Sequence, residues 1–163
     1  GIVMFTTIAR DDRAAEKDAM LAAAALKLQL SQLLLTDMIT MRKSGVFNWK
    51  KHYEQAVTLC GQVMAALAAR EAGIPHIEAL LHQSLLQMED PKPDKDMRPR
   101  YKKIEKVLQQ AEDMANKFVA GACPRDLDPA ISLPVARLLA RVRLALAELR
   151  LTQARARDAH AAE

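Results

Sequence analysis

Aromatic side chains are scarce in this sequence, which has one Trp, two Tyr and three Phe among 163 residues. Sheets draw heavily on aromatic and β-branched residues, and with both types sparse a strand-rich fold is not expected. Cysteine is rarer still. Cys60 and Cys123 share no short motif and neither is half of a metal-binding pair, which excludes a disulfide framework and leaves at most one bridge. So few cysteines suit a reducing, cytoplasmic setting better than an oxidising one.

The signatures of catalysis are missing as well. The chain has no Gly-rich phosphate loop, no His-Glu-x-x-His, no Gly-x-Ser-x-Gly elbow and no Glu-x-x-His pair of the kind di-iron bundles use. Neither enzymatic activity nor a cofactor or metal is expected. Charge of one sign is in short supply too. Twenty-four basic and 20 acidic residues give a formal charge of +4, a mild excess that falls short of a nucleic-acid-binding arm, so nucleic acid is not an expected partner.

The first residues, Gly1 to Ile8, lack an initiator Met, in the manner of an excised fragment. Their apolar run is too short to span a bilayer and lacks the basic leader and cleavage site of a signal peptide. Residues 1–10 read as an apolar N-terminal tail, and 11–163 as a single helical domain with an exposed linker at 89–98.

What the chain does have is Leu, Ala and Met, which lose little entropy in a helix. From Asp11 to Ser44 there is no Gly or Pro, and Asp11, Asp12 and Glu16 suit the positive end of a helix dipole. Polar residues between Ala19 and Met41 scatter around this helix, as in one buried among several neighbours. Leu26, Leu30 and Leu33 are therefore expected in the core. A membrane span is the rival reading, disfavoured by the alanines and interior polar groups.

A second helix near Phe47 to Ala72 carries Trp49, Tyr53, Ala56, Cys60, Val63 and Leu67 at alternating spacings of four and three, which lays them along one stripe. A shorter helix to about Gln87 uses Ile77, Leu81, Leu85 and Met88. Pro91 and Pro93, among Glu89, Asp90, Asp94 and Asp96, then mark the linker. The fourth helix, about Pro99 to Ala120, aligns Tyr101, Ile104, Leu108, Ala111, Ala115 and Phe118. The last, from Leu133 or Val135 towards His160, turns Val135, Leu138, Val142, Ala145, Leu149 and Thr152 inward. The fold class is all-α, an antiparallel bundle or helical-hairpin array of about five helices.

Tyr53-Glu54-Gln55-Ala56-Val57 with Cys60, Val63 and Leu67 resembles the second helix of a tetratricopeptide hairpin, and Tyr101 through Ala111 and Ala115 echoes it 48 residues later. The resemblance implies a stacked solenoid with a concave peptide-binding surface.

Two basic features are candidate binding sites for an anion or an acidic protein partner. Arg98, Arg100, Lys102, Lys103 and Lys106 crowd the start of the fourth helix, where free backbone N–H groups already attract anions. The nearby linker acids could fold back and neutralise them. On the last helix Arg143, Arg150 and Arg157 fall seven residues apart on one face, placed to recruit an acidic helix or to pair with Glu105, Glu112 or Asp113. Phe47, Trp49 and Tyr53 are candidates for a small-molecule pocket, with the core as their plainer role. Glu78 and His82, one turn apart, read as a surface ion pair.

The leading expectation is a non-catalytic protein-interaction or scaffold module that could form a homo-oligomer. The alternative is a ligand-sensing helical domain of a membrane receptor lying between two spans. That alternative would put the domain outside the cytoplasm.

Overall fold

A computed structural model of the chain describes residues 2–70, 73–121 and 129–162. These residues form five α-helices and no strand: α1 (Ile2–Lys43), α2 (Trp49–Ala68), α3 (Ile74–Met88), α4 (Arg98–Gly121) and α5 (Pro129–Ala161). Their contacts cluster into two compact units, Gly1–Arg70 and Glu71–Glu163.

The first unit is a helical hairpin. Helix α1 begins at Ile2, upstream of the acidic residues that suggested its start, and ends in a Schellman motif. The Val46 amide donates to the Met41 carbonyl at 2.9 Å and the Gly45 amide to the Arg42 carbonyl at 3.2 Å. Gly45 sits at φ 72°, in the left-handed region where a side chain is strained, so glycine fits the stop.

The stripe that α1 buries is Ala24, Leu28, Ser31, Leu35 and Met38, and α2 answers with Ala56, Cys60, Val63 and Leu67. Both repeat every seven residues (Ala24–Ser31–Met38, Ala56–Val63), the spacing that keeps two helices in contact along a shallow left-handed crossing. Small residues at Ala24, Ser31 and Ala56 let the backbones approach closely.

Cys60 and Val63 are buried as expected, whereas Leu26, Leu30 and Leu33 are 67%, 48% and 63% exposed. The expectation of a core role for these three leucines was incorrect. A helix apolar on most sides offers several stripes of equal period, and only the partner selects one.

The second unit is built from α3, α4 and α5. Gly73 starts α3, its amide donating to Nδ1 of His76 at 3.2 Å, and Pro75 occupies the first turn, where its missing N–H costs nothing. Ile77 and the consecutive Ala79, Leu80, Leu81 and His82 are buried, so this helix is covered on more than one side. Leu85 and Met88 are instead 40% and 39% exposed. Helix α4 contributes Ile104, Leu108, Ala111 and Ala115 to the core, and α5 contributes Val135, Leu138, Val142, Leu146 and Leu149. Helix α5 starts at Pro129, before the expected Leu133 or Val135, and carries Pro134 within it.

His82 does not lie at the surface, where its spacing to Glu78 placed it. It is 3% exposed, and burial pushes its pKa down to about 4, so it is uncharged at neutral pH. Cys60 is a buried free thiol whose pKa burial pushes up to about 11. Cys123 lies outside the described residues.

Candidate functional site

The antiparallel pairing of α4 with α5 sets the geometry of the basic residues. Arg143 Nε lies 3.6 Å from Glu112 Oε2, and Arg150 Nε lies 4.0 Å from Glu105 Oε1. These pairs form a ladder, in which a seven-residue step forward on α5 matches a seven-residue step back on α4. One further step brings Arg157 level with residue 98, which is Arg98 rather than an acid. The third rung sets cation against cation.

That rung opens into a cleft of about 250 Å³ lined by Arg98, Tyr101, Lys102, Gln153, Arg157 and His160, together with Ala156. Three of the expected binding residues, drawn from both basic features, thus converge on one surface. Their cationic heads sit on a partly apolar floor made by Tyr101 and Ala156, an arrangement suited to a carboxylate or phosphate carried on a larger body. Sequence reading missed Gln153 and His160. The antiparallel order of neighbouring helices was the available signal, since it puts the end of α5 beside the start of α4.

The linker acids fold back on the cluster in part. Arg98 Nε donates to Asp96 Oδ1 at 3.0 Å, and this hydrogen bond holds the Asp96 carboxyl below its usual range and raises the Arg98 guanidinium. Both side chains are open to water, at 72% and 45% exposure. Such a contact contributes little to folding and an incoming anion can exchange with it.

Arg100 is different. Its side chain is 11% exposed, and its guanidinium donates to Asp94 Oδ2 at 2.7 Å and to the carbonyls of Asp90 and Lys92. These bonds clamp the linker to α4, which makes Arg100 a structural anchor. Lys102, Lys103 and Lys106 are exposed on α4, and of these Lys102 reaches the cleft.

The proposed aromatic pocket is placed differently from its expectation. Phe47 is 97% exposed in the α1–α2 turn and encloses nothing, while Trp49 and Tyr53 are half-buried. The Trp49 ring instead receives the Arg42 guanidinium at 5.8 Å and the Lys50 ammonium at 5.7 Å from its centroid, which fastens the turn. A shallower groove of about 560 Å³ runs along the hairpin past Leu30, Leu34, Lys51, Glu54 and Leu59. Its charges are of both signs.

Among the described residues, no three His, Cys, Asp or Glu side chains gather as a metal-holding group. The Arg10–Lys43 stretch of α1 is long and apolar enough to cross a membrane by length and composition. In the hairpin, however, its Ser31 hydroxyl is buried against α2.

No family model matches the chain. It is 57% identical over 158 residues, 97% of its own length, to Cilia- and flagella-associated protein 46 of Chlamydomonas reinhardtii, and it spans about 6% of that protein's length. That relative's name describes an association with cilia and flagella and gives no support to the receptor-domain expectation.

Proposed function

We propose that this chain is a non-catalytic interaction module within a scaffold protein of the cilium, and that it docks an acidic protein segment in the cleft between the start of α4 and the end of α5. The observation that carries this reading is the third rung of the α4–α5 ladder. At two rungs an Arg of α5 meets a Glu of α4, and at the next Arg157 and Arg98 line one cleft together with Lys102. Clustered cations raise each other's energy until an anion joins them. A carboxylate-rich segment supplies that anion and gains bidentate hydrogen bonds from each guanidinium. The similarity to a cilia- and flagella-associated protein supports a structural setting for such a contact.

The cleft is small and open, so it suits recognition of two or three acidic side chains presented on a helix or extended segment. It does not suit an enclosed metabolite. Exchange with Asp96 would tune the affinity, because Arg98 must leave that partner to receive another.

The test is binding of a fluorescently labelled deca-glutamate peptide, followed by anisotropy. The Arg98→Gln/Arg157→Gln variant should bind about tenfold more weakly and lose most of its salt dependence. Arg143→Gln/Arg150→Gln, which removes the two satisfied rungs, should bind as the parent does. Equal affinity in the parent and the Arg98/Arg157 variant would end this reading.

A further inference from the structure

Helices α1 and α5 each carry a second apolar seam on the face turned away from their packing partners. On α1 it runs Asp12, Glu16, Ala19, Ala23, Leu26, Leu30, Leu33 and Asp37, in alternating steps of four and three, roughly 150° around the helix from the buried stripe. Every one of these residues is exposed. The leucines and alanines are bracketed by acids at both ends. Of the bases nearby, Arg13 and Lys17 fall on the α2 side by helical phase, and Lys27 lies at the margin.

On α5 the seam runs Leu133, Arg137, Ala140, Leu144, Ala147, Leu151 and Arg155, roughly opposite the buried stripe. Leu133, Leu144 and Leu151 are 56%, 60% and 52% exposed, and Arg141 lies beside them. Between Leu133 and Arg155 the helix carries a single acid, Glu148. One seam is thus apolar with acidic ends and the other apolar with basic ends.

We propose that these two seams are the halves of one interface, through which the α1 face of one copy of this chain docks on the α5 face of a second copy. The lengths agree. Glu16 and Asp37 are roughly 32 Å apart along α1, and Arg137 and Arg155 roughly 27 Å apart along α5, a difference of less than one helical turn. Pairing like with like fails in either orientation. Acids stand at both ends of the α1 seam, so two α1 faces would set carboxylate against carboxylate, and two α5 faces would set guanidinium against guanidinium.

The interface is heterologous, so each copy keeps one unused half and can extend the assembly head to tail. A single helix–helix seam is small, and association in the micromolar range follows. The cleft lies on the inward side of α5, away from this seam.

Sedimentation velocity of the full chain tests it. The parent should self-associate as its concentration rises towards about 100 µM, and less so in high salt. Leu26→Gln/Leu30→Gln/Leu33→Gln removes the α1 half, Arg137→Glu/Arg141→Glu/Arg155→Glu removes the α5 half, and each variant should be monomeric with unchanged helicity. Mixed one to one, the two variants should form a heterodimer that grows no further, since each keeps the half the other lacks. If the leucine variant loses helicity, Glu16→Arg/Asp37→Arg takes its place with the same expected outcome. A parent that stays monomeric overturns the proposal. So does association that survives in either variant, or a mixture that stays monomeric.

Discussion

The Ser31 hydroxyl of α1 donates a 2.7 Å hydrogen bond to the Ala56 carbonyl of α2, and both residues are fully buried. A polar group at this seam is tolerated because the facing backbone satisfies it. The same contact fixes the helix separation, since only a small side chain fits there.

Two substitutions at Ser31 separate these roles. Ser31→Ala removes the bond but keeps the close approach, and urea unfolding should show a loss of about 0.5–1.5 kcal/mol. Ser31→Leu must push the helices apart and should cost about 1–3 kcal/mol. Equal effects would mean that the hydrogen bond, and not the spacing, governs the hairpin.

Neighbouring leucines on α1 should respond very differently to truncation. Leu35 is 6% exposed and Leu33 63% exposed. Leu35→Ala leaves a cavity and should cost about 2–5 kcal/mol, whereas Leu33→Ala should change the stability of the monomer by less than about 0.5 kcal/mol. Thermal melts at dilute concentration, below any self-association, make the comparison.

The two arginines at the start of α4 should separate in the same manner. Arg100→Ala breaks three charge-assisted hydrogen bonds and frees residues 90–97 from α4, at a cost of about 1.5–3 kcal/mol or more. Amide exchange in that linker should quicken. Arg98→Ala removes an exposed contact and should leave the unfolding midpoint where it was. Arg100→Lys should not rescue, because an ammonium cannot span three acceptors in a plane.

His82 should make the second unit sensitive to acid. Its pKa is lowered from 6.5 to about 4 by burial. Between those values the unfolded chain binds a proton that the folded chain does not, so stability falls as the pH drops through this window. Above pH 6.5 the residue contributes no pH dependence. The loss by pH 4 amounts to at most roughly 3 kcal/mol. His82→Leu should flatten this part of the stability profile measured by urea unfolding at a series of pH values, and an unchanged slope would assign the acid sensitivity elsewhere.

The sequence by itself determined that the chain is all-α, because propensity and a three-four apolar rhythm are local properties that survive without knowledge of neighbours. It also located the stripes of α2 and α4, where apolar residues at Ala56, Cys60, Val63 and Leu67, or Ile104, Leu108, Ala111 and Ala115, stand against clearly polar surroundings. On α1 the rhythm repeats on two faces, and tertiary packing decided between them. The small residues Ala24 and Ser31 admit α2 closely, and the larger Leu26, Leu30 and Leu33 are left outside. Likewise, the sequence showed where the arginines lie but not which ones are already paired. That depended on the register between α4 and α5, which set Glu112 and Glu105 beside two of them and a second arginine beside the third. Register is a property of two helices together, and no single helix encodes it.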